Sequence, residues 1–394
     1  TEASPLPDNC GLIIDAMFGI GLNSPLRGAG LCAARQINHA GIPVISADVP
    51  SGVSADTGAV LGEAVHASIT ITFSMAKPGL YLEPGCAFCG EVRIRDIGIP
   101  EEYLCQAEIS TTLLQLSEEH LPTRDPLTHK YSYGRLVVLG GSVGYTGAIS
   151  LCSRAAVHCG AGVVFTGVPE KIYEITAIKN DEAVVFPLTC SSVGQISPAA
   201  LPDIFSRLKT ASAVVFGPGL GRSDDLVDIT ETIIRSAVSP LVLDADALWA
   251  VGQKPEILLN AHAPLVLTPH EGEFKALGGI LTPDRLASAR AFSQKYNCTL
   301  LLKGHHSLAA FPDGRAVICP YGNPGMARGG SGDVLAGILG AMLCHLPLYD
   351  AVSAGMLLHA CTGDLCAEQF GEYSMTPSDM INCIYQITKQ LSAR

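Results

Sequence analysis

Charge is scarce in this chain. Asp, Glu, Lys and Arg make up 16% of 394 residues, and aromatics only 6%, with a single Trp. A disordered polymer, which needs high charge and little hydrophobicity, is thereby excluded. Basic residues are the scarcer sign, 25 against 37 acidic, for a net charge of −12. No nucleic-acid partner is expected, because backbone phosphates are held by clustered Lys and Arg. No apolar run approaches the ~20 residues that span a bilayer, so no membrane association is expected either. Paired zinc-type cysteines are also lacking. The 14 Cys are scattered, mostly in apolar runs, and Cys86 and Cys89 form the one C-x-x-C, with no second pair at zinc spacing. They read as small buried hydrophobes in a reducing compartment. No signal-peptide pattern follows Thr1, so the expected location is cytoplasmic.

Apolar residues and glycine take up the room that charge leaves: hydrophobics reach 48%, and Gly numbers 41. At this length the composition predicts two or three compact α/β domains with many tight turns. Three apolar, β-branched runs (residues 12–14, 43–46 and 68–73) occupy the first hundred positions, with a helical stretch over 31–40 between the first two. Strands alternating with helices predict βαβ units and a parallel sheet. Three strands make a thin sheet, so residues 1–105 read as the C-terminal half of a Rossmann-like α/β domain. Residues 106–127, polar and acidic with prolines, read as a linker. A longer alternation follows over 128–394. Its strands are expected at Arg135–Leu139, 162–166, Ala213–Phe216, 240–243, Leu265–Leu267 and Thr299–Leu302, with helices over 147–158 and 284–296. That pattern predicts a doubly wound sheet with helices on both faces and ligands at the carboxyl ends of its strands. Exposed apolar stretches in the first domain suggest a homo-oligomer.

The chemistry concentrates in Asn323-Pro324-Gly325-Met326-Ala327-Arg328-Gly329-Gly330-Ser331-Gly332-Asp333, which opens a helix of small apolar residues. Gly329, Gly330 and Gly332 let a phosphoryl group approach the backbone. The first amides of a helix lack internal partners, and its dipole is positive at that end. Together they make an anion hole suited to phosphoryl transfer. Asp333, in the first turn, can take a proton from a substrate hydroxyl. The same run also reads as a glycine turn ending in an ordinary first-turn aspartate. The flanking Asn-Pro-Gly-Met and the small-residue helix favour the anion hole.

Weaker signals stand at other strand ends. Lys303-Gly304-His305-His306-Ser307 lines a nucleotide pocket, or is a solvated strand end. His270, in Thr268-Pro269-His270-Glu271-Gly272-Glu273, touches a polar ligand, or is structural. Asp244 and Asp246 orient the cluster or hold Mg²⁺ beside phosphates. Gly217-Pro218-Gly219-Leu220-Gly221 is a tight turn with room for a ligand. In the first domain, Asp15 and Asp48, with Ser51, close adjacent strands. They converge on a cation or polar ligand, or serve as caps and turn formers.

Six motifs in order give the second domain a family resemblance. Gly140-Gly141-Ser142 with Tyr145-Thr146-Gly147-Ala148 comes first, then Gly217 to Gly221, then Asp244-Ala245-Asp246-Ala247-Leu248. Thr268 to Glu273, Lys303-Gly304 and Asn323 to Asp333 follow. This domain resembles the ADP/ATP-dependent NAD(P)H-hydrate dehydratases, a branch of the ribokinase-like superfamily. The resemblance implies a ribokinase-like sheet. It implies that Ala148, Gly219, His270 and Asp333 contact hydrated NADH or NADPH. Residues Lys303 to Ser307 and Asn323 to Gly332 would hold ADP or ATP as phosphoryl donor, with Mg²⁺. Two positions depart from the family pattern: Arg328 replaces a small hydroxyl residue, and Trp249 stands where Asn is common.

The first domain resembles the NAD(P)H-hydrate epimerase that is often fused ahead of the dehydratase, as in the bifunctional repair enzymes. It does so through Asp15 to Leu22, Asp48 to Gly52, Asp56-Thr57-Gly58 and Lys77-Pro78-Gly79. By that resemblance Gly19, Ile20, Gly21, Leu22, Asn23, Ser24, Pro25 and Asp48 contact the hydrate, and Asp15 and Ser51 bind K⁺. The family's earlier Asn-Asn-Gly-Gly-Asp turn is not in this sequence, so weak or missing epimerase activity is expected of these 394 residues. The competing expectations are a ribokinase-like kinase of a hydroxymethyl-pyrimidine, thiazole or pyridoxal, and a catalytically silent nucleotide-binding module.

Overall fold

A computed structural model of the protein describes residues 5–7, 9–100, 102–103, 108–117 and 121–392. The chain forms two compact units: residues 1–113 with 281–288, and residues 114–280 with 289–394.

In the first unit, β1 (Ile13–Asp15), β2 (Val44–Ala47), β3 (Ile69–Phe73) and β4 (Glu91–Arg95) form a parallel sheet in that order. The helix α1 (Gly28–His39) covers one face, with Ala34 and Ile37 packed among Ile13, Leu26, Val44 and Val65. The opposite face runs through Ile14, paired with Ile45, which pairs in turn with Ile69. Ile14 is 69% exposed. The strand β4 was not expected from sequence. Its Glu91, Arg93 and Arg95 are exposed and alternate with Val92 and Ile94, so an edge strand hides in what reads as a charged stretch. A short strand, β5 (Thr111–Leu113), ends the unit's continuous segment.

The second unit opens with β6 (Arg135–Leu139), α2 (Thr146–His158), β7 (Val163–Pro169), α3 (Tyr173–Ile178) and β8 (Val184–Leu188). After α4 (Leu201–Leu208) come β9 (Ala213–Phe216), α5 (Asp224–Ser236), β10 (Leu241–Leu243), α6 (Asp246–Gln253), β11 (Leu265–Leu267) and α7 (Glu271–Ala276). Next are α8 (Arg285–Tyr296), which begins in the first unit's second segment, and the strands β12 (Thr299–Leu302), β13 (Leu308–Ala310) and β14 (Ala316–Ile318). The helices α9 (Ser331–Leu343), α10 (Leu348–Phe370) and α11 (Pro377–Ser392) complete the unit.

Within this unit the strand order is β14-β13-β12-β11-β10-β9-β6-β7-β8. Every neighbour from β12 to β8 is parallel, and β12-β13-β14 is an antiparallel edge. Parallel strands covered on both faces must be apolar; β9, β10 and β11 are so throughout, β6 after Arg135 and β12 after Thr299. Leu136, Val138, Val215, Val242, Val266 and Leu301 pack with α2, α9, α10 and α11 in one core. The alternate residues Val137, Leu139, Val214, Phe216, Leu243 and Leu267 are equally buried.

The chain starts at β6, runs outward through β7 to β8, and returns to β9 on the other side of β6. The order therefore reverses between β6 and β9, and such a switch point opens a crevice at the carboxyl ends of the strands. Small residues bring α9 hard against this sheet. A Cβ on Gly340 would meet Val215 Cγ2 at 2.5 Å, and one on Gly337 would strike the Cys152 carbonyl of α2. No helix among the described residues is long and apolar enough to cross a membrane.

Candidate active site

The carboxyl ends of β10, β11 and β12 carry a small acidic cluster with one lysine. Asp244 is almost fully buried. Its Oδ1 accepts from Thr268 Oγ1 at 2.7 Å and from Lys303 Nζ at 3.1 Å. Lys303 also lies 3.8 Å from Glu273. Burial works to lower the Lys303 pKa, but the Asp244, Glu273 and Asp333 carboxylates outweigh it, and the value is raised. Asp246 accepts the Gly221 N–H at 2.8 Å and pairs with Arg222 at 3.5 Å. Ala245, between the two aspartates, has φ +50. A β-carbon pays a steric cost there, and such strain clusters at functional sites.

Asp333 is in the first turn of α9, opposite this cluster. Burial pushes its carboxyl up to about 7, Asp244 adds to the rise, Lys303 opposes it, and Asp246 raises it further. Among the described residues nothing hydrogen-bonds to its side chain. The backbone before it is set by Gly330, the N-cap, with φ +101. The Ser331 N–H turns back to the Arg328 carbonyl at 3.3 Å and that of Val334 to Gly330 at 3.1 Å. The amides of Gly329, Gly330, Gly332 and Asp333 have no acceptor among the described residues. A Cβ on Gly332 would lie 3.5 Å from Lys303 Nζ and 3.9 Å from Asp244 Oδ2. The open amides, the lysine and the carboxylates thus face one small space. Asp244 Oδ2 has no hydrogen-bond partner among the described residues. A divalent cation carried on a phosphate chain fits there, since Mg²⁺ typically takes one or two carboxylates and completes its shell with phosphate and water.

A cavity of about 610 Å³ adjoins this space. Its floor is apolar, formed by Leu301, Cys319, Leu335 and Met356, while Lys303, Gly304, His305 and Ser307 line one side. The lead-in to α9 (Asn323, Pro324, Met326, Ala327, Arg328) lines another, with Ser331 and Gly332. His306, Gly325, Gly329 and Gly330 are not in its wall. Gly325 is turned away: a Cβ there would meet Met375 Sδ at 2.5 Å. The side chain of Asn323 is already used by the protein. Its Oδ1 accepts the Gly325 N–H at 3.0 Å, and its Nδ2 donates to Asp364 at 3.0 Å. His270 lines the cavity and caps α7, its Nδ1 accepting the N–H groups of Gly272 and Glu273. Gly219, with φ +66, and Ala148 are neighbours, a Cβ on the glycine falling 3.1 Å from that of the alanine.

Sequence reasoning missed His359 and Asp364, both on α10. Burial pushes the His359 imidazole down to about 4. Neutral, it donates from Nε2 to the Ser331 carbonyl at 3.0 Å. No strand-end pattern announces either residue, because both lie within a long helix far along the chain.

In the first unit, Asp15 and Ser51 meet. Ser51 Oγ donates to Asp15 Oδ1 at 2.6 Å, and Met17 N–H reaches the same oxygen at 3.4 Å. Ser46 Oγ and the Ser51 N–H fill Oδ2 at 2.9 and 2.8 Å. A carboxylate has about four acceptor positions, and all four are taken, so these two residues do not by themselves offer K⁺ an oxygen shell. Asp48, at φ +70, is held by Lys77 Nζ at 2.7 Å. The exposed 19–25 loop begins beside it, a Cβ on Gly19 lying 3.9 Å from Asp48 Oδ2.

Comparison with known proteins meets this geometry from a second direction. A family model described as NAD(P)H-hydrate dehydratase matches residues 136–386, and one described as YjeF-related protein N-terminus matches residues 1–79. The bifunctional NAD(P)H-hydrate repair enzyme Nnr of Moorella thermoacetica is 38% identical over 388 residues, covering 96% of this chain and 73% of the relative. That of Escherichia coli is 33% identical over 394 residues, covering 97% and 72%. Among solved structures, the ADP/ATP-dependent NAD(P)H-hydrate dehydratase of Bacillus subtilis, co-crystallised with ATP and Mg²⁺, aligns with a TM-score of 0.61 at 26% identity. It covers 69% of this chain and 95% of its own. A ribokinase-like superfamily protein of Enterococcus faecalis aligns with a TM-score of 0.64 at 25% identity, covering 72% and 98%. At this identity, sustained over nearly its whole length, the chain belongs to the family of bifunctional NAD(P)H-hydrate repair enzymes.

Proposed function

We propose that the second unit dehydrates hydrated NADH or NADPH, using an adenine nucleotide as phosphoryl donor. The observation that carries this reading is Asp333: a carboxylate without a hydrogen-bond partner among the described residues, beside open helix-start amides and next in sequence to Gly332, which lines a nucleotide-sized cavity. The apolar floor suits an adenine ring, and the Gly329–Gly332 stretch suits the phosphate to be transferred. Ala148, Gly219 and His270 are assigned to the hydrate. Lys303 to Ser307 and the 323–332 lead-in are assigned to the nucleotide, with Gly325 behind the wall that Asn323, Pro324 and Met326 line.

Asp333 accepts the proton of the C6 hydroxyl, and the freed oxygen attacks the terminal phosphorus of ADP or ATP, releasing AMP or ADP. Lys303 and the open amides stabilise the charge that develops on the phosphoryl oxygens. The ring nitrogen lone pair then expels the C6 phosphate, and loss of a C5 proton restores the C5=C6 double bond of NAD(P)H. Mg²⁺, held by Asp244 on the side away from Lys303, would neutralise the phosphate chain.

For the first unit we infer an epimerase-related role, with Asp48 and the 19–25 loop facing the hydrate. K⁺ at Asp15 and Ser51 would need oxygen ligands beyond these two. The free thiols of the described cysteines support a reducing, cytoplasmic setting. The boundary between the two activities is assigned to residues 106–127.

Recovery of reduced-nicotinamide absorbance from hydrated NADH, with ADP·Mg²⁺ or ATP·Mg²⁺, tests the assignment. Asp333→Asn should slow it by about 10²–10⁴-fold, the range for loss of a positioned base, while nucleotide binding survives. The base must be ionised, so the wild-type rate should rise with pH through about 7 and fall below it. Near-wild-type turnover in the variant refutes the base. A stable phosphorylated product in place of free phosphate and NADH makes the enzyme a kinase.

A further inference from the structure

We propose that Asp364 is a positioning residue for the nucleotide: it fixes the 322–326 wall of the cavity without touching what the cavity holds. The proposal rests on the reading that this cavity takes an adenine nucleotide.

Asp364 is on α10, behind that wall and not part of it. Its Oδ2 accepts the Gly322 N–H at 2.9 Å, and its Oδ1 accepts from Asn323 Nδ2 at 3.0 Å. Asn323 passes the order on, since its own Oδ1 accepts the Gly325 N–H at 3.0 Å and so starts the 3-10 turn Pro324–Met326. The polarity of the relay is forced. An ionised carboxylate only accepts, so it compels the Asn323 amide nitrogen to face it and the amide oxygen to face the turn. Were the amide to flip, oxygen would meet oxygen on one side, and N–H would meet N–H on the other.

The backbone around the relay is equally committed. Gly322 has φ +110, a region that side chains avoid. Gly363, just before Asp364, stands where any Cβ would run into the side chain of Met326. The Met326 thioether therefore lies on the bare helix surface beside the carboxylate that holds the turn. At the far end of the same loop, His359 holds the Ser331 carbonyl. One helix thus fastens both ends of the 322–331 loop, and among the described residues Asp364 is the only carboxylate in that attachment.

A residue acting through the wall should change nucleotide binding and leave the hydrate chemistry in place. The test uses the full chain and calorimetric titration with ADP·Mg²⁺ and ATP·Mg²⁺ in the absence of hydrate, followed by steady-state kinetics. Asp364→Asn is nearly isosteric but presents a donor on one side of the relay. It should weaken nucleotide binding about tenfold or more, the usual loss when a hydrogen bond to a charged group is removed. The nucleotide KM should rise in step, with the hydrate KM and the kcat at saturating nucleotide within about twofold. The double variant Asn323→Asp with Asp364→Asn reverses the relay. The new carboxylate at 323 accepts from both the Gly325 N–H and the new amide at 364, whose oxygen still accepts from Gly322. Binding should recover to within about threefold of wild type, which a general loss of packing would not allow.

Unchanged affinity in Asp364→Asn, no recovery in the double variant, or a hydrate KM that rises alongside the nucleotide KM would each overturn the proposal. Wild-type protein that binds neither nucleotide would overturn the functional reading itself, and this one with it.

Discussion

Among the described residues two cations, Lys303 and Arg328, line the cavity beside α9, and their surroundings differ. Lys303 is already paired, 3.1 Å from Asp244 and 3.8 Å from Glu273. Arg328 makes no ion pair among the described residues. Its Nη2 donates to the Tyr373 carbonyl at 2.9 Å, which steadies the side chain without neutralising it. A guanidinium has five N–H donors in a planar fork, so most remain for a phosphate. A small hydroxyl, which the family resemblance leads one to expect here, supplies no charge. Arg328→Ser should therefore raise the nucleotide KM about tenfold, as loss of a charge-assisted bond does. Its kcat should change by less than about twofold, and the salt dependence of binding should flatten. Arg328→Lys should keep part of the affinity. An unchanged KM in Arg328→Ser, measured at low ionic strength, would reduce the guanidinium to a tether for the 373 loop.

At the scale of an element, the start of α9 separates two jobs that glycine does. Gly330 holds φ +101, and a Cβ there would meet Leu151 Cδ1 at 2.7 Å and Pro377 Cγ at 2.9 Å. Gly329 has open space around it and no left-handed φ. Gly330→Ala should lower unfolding stability by about 1–3 kcal/mol, from backbone strain and overpacking. Gly329→Ala should leave stability within about 0.5 kcal/mol but weaken nucleotide binding, because its methyl group intrudes where phosphate approaches. Denaturant melts and titrations on both variants measure the split, and equal losses of stability would contradict it. The helix itself was legible because Gly-rich lead-in and small apolar residues adjoin in sequence. So were β6, β9, β11 and β12, whose apolar, largely β-branched or leucine runs mark strands covered on both faces. β13 and β14, three residues each, were too short to show a period, and α10 buries so much of its surface that no amphipathic stripe marks it. The site followed the same rule. Asp333, Lys303 and Asp244 stand at strand or helix ends, where a polar residue interrupts an apolar run. His359 and Asp364 act from the middle of a helix, and only tertiary packing brings them to the loop.

At the scale of the molecule, the two units differ in how completely each buries its own apolar surface. The second has a continuous core running from Leu114 through α2, α9, α10 and α11 to Leu391. Its single-unit counterparts exist as whole chains: the Bacillus subtilis dehydratase aligns over 95% of its own length. In the first unit, α1 packs on one face of the parallel sheet. Its small core joins Ile13, Leu26, Ala34, Ile37, Val44 and Val65, while Leu12 and Ile14 remain 49% and 69% exposed. A parallel sheet is stable when both faces are covered, and an exposed apolar face favours association. A fragment of residues 108–394 keeps Leu114 and its bond to the Ile318 carbonyl. It should fold cooperatively, run as a compact species on gel filtration and retain nucleotide-dependent recovery of NADH from its hydrate. A fragment of residues 1–113 should self-associate at micromolar concentration, and Ile14→Lys should reduce that association. Loss of cooperative melting in the 108–394 fragment would show that the dehydratase needs the first unit to fold, and a monomeric 1–113 fragment would show that its sheet face finds cover within its own chain.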